Sequence, residues 1–436
     1  MINTAEVILW GTRIGVVHQD DGKPYVSFEY DKDFIGSGIE VSPIKMRLSN
    51  VVYEFPDLSG DAFHGAPGLI ADSLPDKFGN RVIERWLMEQ GHSLDDFNTI
   101  DRLCYTGVRG MGALEYRPVS GPKSVAEENV NIDKMVEFAS KVLSDKESKK
   151  LSVDEQIGYS QLVQLGTSAG GARAKALIAV NEETSEIKSG QIDAGNGFEY
   201  WLIKFDGVKR NGDHNLKDSV EYTLIEYAYY LMAKAAGIYM EKCKILEENG
   251  RHHFMTKRFD RVENQKIHMQ TLGALTHIDY NYPGQCSYEQ AAEVIRLLNS
   301  SMSDVEQLYR RMVFNVIFVN QDDHVKNISF LMNKMGEWRL SPAYDITFSY
   351  NLNNRWLKAH QMLVNGKSEK ITYNDLISAG KNMGIASSKC KKIINDIIKV
   401  LDDIEKYFEQ VGVREETYSK LAKVINLNTS NMLSNS

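Results

Sequence analysis

Eight consecutive residues constrain the fold of this chain more than any other feature: Asn320-Gln321-Asp322-Asp323-His324-Val325-Lys326-Asn327. They follow residues 305–319, where Leu308, Met312 and Val316 recur four apart and so share one face of a helix. They precede the strand-like residues 328–332, and a second strand-like piece, 337–340, returns after a turn and delivers Ser341-Pro342-Ala343-Tyr344-Asp345. A loop that leaves a core helix and enters a hairpin brings Asn327 and Asp345, eighteen positions apart, to the same end of the ribbon and close to Asp322. Three oxygen-bearing side chains then converge.

Two hard oxygen ligands beside an unligated carboxylate suit magnesium held against substrate phosphates, with the remaining Asp free to orient a hydroxyl. Protein kinases divide the labour in this way. Taken singly, Asp322, Asp323 and Asn327 are residue types that cap helices and turns. Three of them in a helix–loop–hairpin setting shift the balance toward a site.

A kinase also needs a cation on a strand. In Tyr200-Trp201-Leu202-Ile203-Lys204-Phe205, alternation puts Trp201, Ile203 and Phe205 on one face and Lys204 on the other with Leu202. Alone, that is an ordinary amphipathic strand. The helix expected over 220–237 supplies Glu221 and Glu226, either of which could pair with Lys204 as a kinase lysine pairs with a helical glutamate. Upstream, Gly166-Thr167-Ser168-Ala169-Gly170-Gly171-Ala172-Arg173-Ala174-Lys175 lets backbone approach phosphate closely and can form an anion nest. It is not a Walker loop. Its first five residues do satisfy the G-x-S-x-G nucleophile elbow, so a serine hydrolase using Ser168, with Asp345 and His360 in the right order for a triad, is a rival. The elbow needs strand before and helix after, whereas residues 176–180 read as a strand.

Weaker candidates are the adjacent pair His252-His253, read as polar surface, and the basic cluster Lys389, Lys391 and Lys392, read as a solvated face able at most to touch a nucleic-acid phosphate. No HExxH metal motif occurs.

The 436 residues allow two or three domains at about 150 residues each. Fifty-one Lys+Arg against 59 Asp+Glu give a net charge of −8, so any nucleic-acid contact must come from a local patch. The four cysteines are scattered without a CxxC pair and read as reduced thiols. With no basic leader at the N-terminus and no run of eighteen apolar residues, a soluble, cytoplasmic protein without membrane association is expected. Residues 7–10, 14–17 and 25–28 read as strands of a small antiparallel sheet, 78–88 as a helix, 118–131 as a linker, and 176–180 and 200–205 as strands. The charged run 146–150 reads as a solvated helix end. Beyond Asp260 mainly helices are expected, broken by one hairpin, with a frayed polar tail over 426–436.

Assembled, these pieces resemble the HipA family of bacterial serine/threonine kinase toxins along almost the whole chain. Residues 65–76, Gly-Ala-Pro-Gly-Leu-Ile-Ala-Asp-Ser-Leu-Pro-Asp, resemble the family's N-terminal signature, and Arg258-Phe259-Asp260-Arg261 its interlobe segment. The Asp-x-His-x-Lys-Asn core from Asp322 to Asn327, with Tyr344-Asp345 after it, is the most specific match. The resemblance implies that Lys204 contacts ATP phosphates, Asp322 is the catalytic base, and Asn327 and Asp345 hold magnesium. It places backbone of Lys257 to Phe259 against adenine, Asp260 at the ribose, and His324 and Tyr344 along the nucleotide pocket, with Gly170 and Gly171 near the phosphates. Ser168 falls where the family carries an autophosphorylated serine, whose added charge and bulk would disrupt a phosphate-cradling loop. Here the loop reads Gly-Ala-Arg-Ala-Lys where Gly-Ala-Gln-Glu-Lys is common. The family also implies a HipB-type helix-turn-helix antitoxin, DNA contact mainly through that partner, a protein substrate such as a translation factor or aminoacyl-tRNA synthetase, and a part in persistence.

The expectation is therefore an α+β, bilobal protein-kinase-like fold: a β-rich N-terminal subdomain over 1–117, a mixed α/β nucleotide lobe over 132–260 and a helical catalytic lobe over 261–436. The expected activity is ATP- and magnesium-dependent phosphoryl transfer to serine or threonine. The alternatives are a catalytically silent corepressor acting with a DNA-binding antitoxin and, below it, the Ser168 hydrolase.

Overall fold

A computed structural model describes residues 2–89, 91–93, 97–122, 130–143, 160–163, 165, 173–208 and 221–434. The chain forms two compact units, residues 1–223 with 242–269, and 224–241 with 270–436.

In the first unit, β1 (Thr4–Leu9) and β2 (Thr12–His18) form a hairpin with Leu9 opposite Thr12. Its two turn residues, Trp10 and Gly11, both have positive φ, 49° and 85°, which matches the twist of the flanking strands. β3 (Ser27–Tyr30), β4 (Val52–Glu54) and β5 (Leu114–Arg117) complete a five-stranded antiparallel sheet in the order β4-β3-β2-β1-β5. Two amphipathic helices lie between β4 and β5 in the chain, α1 (Lys77–Glu89) and α2 (Thr99–Thr106), and α2 begins with a capping box in which Asn98 and Asp101 exchange hydrogen bonds. Then come α3 (Ile132–Leu143) and a second five-stranded sheet: β6 (Lys175–Val180), β7 (Ile187–Ser189), β8 (Glu199–Lys204), β9 (Cys243–Glu248) and β10 (Arg251–Lys257), in the order β7-β6-β8-β10-β9.

The alternation read on β8 is the packing observed. Trp201, Ile203 and Phe205 are wholly buried with Ala176, Ile178 and Met255 of the neighbouring strands, against Phe78, Val82 and Ile83 of α1 and Met135, Val136 and Ala139 of α3. One reading fails here. His253 is buried, not surface: it lies inside β10, its Nδ1 accepts the Asp206 backbone N–H at 2.9 Å, and burial lowers its pKa to about 4.

The expectation of one hairpin beyond Asp260 is also corrected. β11 (Arg261–Val262) and β12 (Gln265–Lys266) form a small hairpin, with Glu263 at φ 51° in its turn. β13 (His268–Thr271) then adds an edge to β14 (Ser329–Met332) and β15 (Trp338–Leu340) in the order β13-β14-β15.

The second unit is otherwise helical, beginning within α4 (Tyr222–Ala235) and continuing through α5 (Tyr288–Leu297), α6 (Met302–Ile317), α7 (Tyr373–Asn382), α8 (Ser387–Ile398) and α9 (Glu415–Ser434). Ser287 with Gln290 and Thr372 with Asp375 form capping boxes at α5 and α7. The tail is not frayed. α9 runs to Ser434 because Ile425, Thr429 and Met432 recur on one buried face, and Asn428 Nδ2 donates to the Val316 carbonyl of α6 at 2.8 Å. All four cysteines are buried and none forms a disulfide. Among the described residues no helix is long and apolar enough to cross a membrane.

Candidate active site

The site is built where α6 ends. Its last turn closes at Phe318, Val319 adopts φ 57°, and the chain leaves as the loop Asn320 to His324 before a single 3-10 turn, Val325–Asn327. That turn holds itself together: the Asn327 backbone N–H donates to the His324 carbonyl at 2.9 Å, and Asn327 Nδ2 donates to the Asp322 carbonyl at 2.8 Å. With its amide nitrogen so engaged, Asn327 keeps Oδ1 as its acceptor end.

The β14–β15 hairpin returns the chain as the sequence requires. Ser341 N–H donates to the Ser329 carbonyl, and the Tyr344 hydroxyl lies 2.5 Å from Ser329 Oγ and donates to the Lys326 carbonyl at 2.6 Å. Asp345 follows at φ 54°, and Asn327, Tyr344 and Asp345 line one small cavity with Asn320, Asp323 and His324. Asp322, two residues before His324 on the loop, has a side chain 43% exposed, with His324 Nε2 at 3.9 Å.

Under this loop lies a buried network centred on Asp323, a residue that taken singly reads as a cap. Asp323 is 3% exposed. Its Oδ2 accepts the Tyr288 hydroxyl at 2.9 Å and lies 2.9 Å from His360 Nδ1, while its Oδ1 accepts the Gln361 backbone N–H at 2.8 Å. Asn315 Nδ2 donates to the Tyr288 hydroxyl at 3.0 Å, and Asn320 Nδ2 donates to Asn315 Oδ1 at 3.1 Å. Burial, with the Asp323 charge adjacent, holds the Tyr288 phenol well above its ordinary pKa. Arg311, also buried, is lowered to about 10 by desolvation. The signal that could have found this network is the Asn315, Asn320, Asp323 set, polar residues in and just past the apolar last turns of α6, Met312–Ile317.

The donor chemistry fits a hard cation. Asn327 and Asp345 face one cavity, and Asn320 Oδ1, buried there too, has no hydrogen-bond partner. Among the described residues no three His, Cys, Asp or Glu cluster as a self-sufficient metal cage. Magnesium is commonly held by one or two protein oxygens together with phosphates, so it does not need such a cage.

The remaining expected residues belong partly to the first unit. Lys204 is 9% exposed on β8, its Nζ 5.9 Å from the Phe254 ring centroid. Lys257 forms an ion pair with Glu199, and Phe259 is half-buried. Asp260 is fully buried: Arg258 Nε and Nη2 donate to its two oxygens at 2.9 and 2.7 Å, and Gly112 N–H donates to Oδ2 at 2.8 Å. Burial acts to raise its pKa, but Arg258 prevails and the carboxyl is held below its ordinary value. A ribose contact would therefore have to share or open this pair. Glu226 is buried in α4 within the second unit, and Glu221 stands before that helix at φ 76°. Ser168, Gly170 and Gly171 lie outside the described residues, as does the charged run 146–150. Of the hydrolase reading, Ser168 lies outside the described residues, and the carboxylate that His360 Nδ1 meets at 2.9 Å is Asp323.

Comparison with known proteins adds independent findings. Residues 5–117 match the family described as HipA N-terminal domain, and residues 167–431 the family described as HipA-like C-terminal domain. A Haemophilus influenzae protein named "Putative kinase" is 24% identical over 264 residues, 51% of this chain and 77% of its own length. The Sinorhizobium fredii protein "Putative kinase Y4mE" is 27% identical over 42% of each chain. A solved structure of the Shewanella oneidensis MR-1 toxin–antitoxin system, HipA and HipB with operator DNA, superposes with a TM-score of 0.67 at 15% identity, over 98% of this chain and 96% of that one. The architecture is thus the α+β, protein-kinase-like fold of HipA.

Proposed function

This chain belongs to the HipA family, and on that premise we propose that it is a serine/threonine protein kinase that uses ATP and magnesium. The observation that carries the reading is the convergence of Asn327 and Asp345 on one cavity, with the exposed Asp322 on the same loop 3.9 Å from His324, which lines that cavity.

In this reading Asp322 accepts a hydrogen bond from the acceptor hydroxyl and takes its proton as the phosphoryl group transfers, a role that its solvent-facing carboxylate suits. Asn327 Oδ1 and the Asp345 carboxylate hold magnesium, which when bound neutralises charge on the phosphates. The Tyr344 hydroxyl, tied to Ser329 and Lys326, fixes the hairpin end so that Asp345 keeps its place. His324 and Tyr344 flank the nucleotide, and the family resemblance supports a phosphate contact for Lys204 and an adenine contact for the backbone of Lys257 to Phe259. Such a site accelerates transfer by positioning and charge neutralisation rather than by covalent chemistry.

The likeness to the HipA–HipB–operator assembly supports a helix-turn-helix antitoxin of the HipB type as partner, with DNA contact mainly through that partner. The resemblance further supports self-phosphorylation at Ser168 and a protein substrate such as an aminoacyl-tRNA synthetase. The test is transfer of radiolabelled γ-phosphate from ATP to protein with magnesium present. The wild-type chain is expected to label itself or an added protein and Asp322→Ala to give none with its melting temperature kept; equal labelling by the two rejects the assignment.

A further inference from the structure

Two chains of contacts lead away from Asp322, and each ends in a cation laid on an aromatic ring. One runs through His324, whose Nε2 is 3.9 Å from Asp322 Oδ1 and whose ring centroid is 5.5 Å from that of Tyr280; Lys326 Nζ lies 4.8 Å over the same Tyr280 ring. The other runs through Gln361, whose Nε2 is 3.5 Å from Asp322 Oδ1 and donates to the Trp356 carbonyl at 3.1 Å; the Arg355 guanidinium lies 4.3 Å over the Trp356 ring. All of these residues belong to the second unit.

Among the described residues neither Lys326 nor Arg355 forms an ion pair. A ring face steadies a cation without neutralising it and leaves its N–H edges open to a further acceptor. An ion pair would steady the side chain as well but cancel its charge within the protein. The surroundings keep that charge uncancelled. In a chain whose acidic residues outnumber its basic ones, 59 to 51, residues 346–368 contain no Asp or Glu, yet they contain Arg355, Lys358 and Lys367. Lys367 is answered by Asp375 at 2.8 Å, whereas Arg355 and Lys358 are exposed. The loop that carries Tyr280, residues 278–285, has one acid, Asp279. That carboxylate is buried, with Oδ1 accepting the Asn281 backbone N–H at 2.7 Å and its Nδ2 at 2.9 Å.

We propose that this cationic, aromatic surface docks the segment that carries the acceptor hydroxyl, and that the segment is an acidic stretch of a protein substrate, with Asp or Glu flanking its serine or threonine. The proposal rests on the reading of Asp322 as the group that takes the acceptor proton, and it names the substrate class for that site. The acceptor hydroxyl has to come within hydrogen-bond reach of Asp322, which brings its neighbours in the peptide toward Lys326 and Arg355. Arg355 can grip a carboxylate through paired N–H bonds while the indole face fixes the plane of its guanidinium. Lys326 supplies a point charge. Asp322 itself repels an acidic segment, and the two flanking cations offset that repulsion.

Transfer of phosphate from ATP to serine peptides that differ only in their flanking residues, by the full chain with magnesium, tests this. Peptides flanked by Asp and Glu are expected to exceed those flanked by Lys and Arg by about tenfold or more in kcat/KM, chiefly through KM. The margin is expected to shrink as NaCl is raised. Arg355→Glu reverses an exposed charge; it is expected to lower kcat/KM for acidic peptides by about tenfold and to raise that for basic ones, with peptide-independent ATP hydrolysis unchanged. Lys326→Met is expected to narrow the same margin, raising KM for acidic peptides more than it lowers kcat. Equal or better transfer to basic peptides by the wild-type chain overturns the proposal, and so does an unchanged preference in Arg355→Glu. A wild-type chain that hydrolyses ATP but labels no acidic peptide overturns it too. If the wild-type chain neither hydrolyses ATP nor labels any protein, the kinase reading falls and takes this inference with it.

Discussion

His360 Nδ1 lies 2.9 Å from Asp323 Oδ2, and both side chains are buried, at 4% and 3% exposure. This pair joins the loop that carries Asp322 to the segment that follows Asp345, because the next backbone N–H, that of Gln361, donates to the other oxygen of the same carboxylate. Gln361 also reaches back, with Nε2 3.5 Å from Asp322 Oδ1.

Asp323→Ala strands the Tyr288 hydroxyl, the His360 ring and the Gln361 N–H together. Loss of a buried acceptor with several donors is expected to cost about 3 kcal/mol or more. Urea unfolding followed by fluorescence checks this, and a loss below about 1 kcal/mol would show that the network adds little.

Asn327→Ala and Asp345→Asn act on the cation rather than the fold. Each is expected to lower labelled-phosphate transfer by roughly a hundredfold or more, with part of the loss recovered at high magnesium. Activity independent of magnesium concentration in both variants would remove these residues from the metal.

Acid should weaken the first unit through two histidines. Burial depresses His253 and His268 to about 4, whereas the unfolded chain titrates near 6.5. Between those values the unfolded state binds more protons, so stability is full above the upper value and falls as pH drops toward the lower one, by on the order of 3 kcal/mol per histidine. His268→Gln is expected to flatten that slope in melts taken from pH 7 to pH 4; an unchanged slope rejects the assignment.

Gly65 tolerates no side chain. It has φ +72°, and a Cβ there would lie 2.1 Å from the Pro24 carbonyl oxygen, a backbone atom that cannot swing away. Gly65→Ala should therefore destabilise by about 2 kcal/mol or more, with the strained φ adding to the clash. A thermal melt within a degree of wild type would contradict this.

The sequence was legible wherever one period ruled locally. Leu308, Met312 and Val316 announced α6, and Trp201, Ile203 and Phe205 announced the packed face of β8, since apolar spacing and burial there are one fact. The helix–loop–hairpin order was enough to bring Asn327 toward Asp345. What did not show were partnerships across long separations: Asp323 with His360 and Tyr288, or Asp76 with Lys175, 3.1 Å apart at Oδ2 and Nζ, in which each residue by itself reads as a cap or a surface charge. His253 misled for the same reason, because a polar residue inside a strand declares its burial only once neighbouring strands are in place. The tail misled through composition, as polar residues outnumber the Ile425, Thr429 and Met432 stripe that seats it.

The burial of every cysteine gives the protein an internal stopwatch. Cys104 and Cys243 sit in the first unit, Cys286 and Cys390 in the second. A thiol-reactive dye should leave the native chain almost unmarked and modify each sulfur only as its surroundings open. Peptide mapping of the adducts over time would then report which half of the molecule breathes sooner, without a single engineered label.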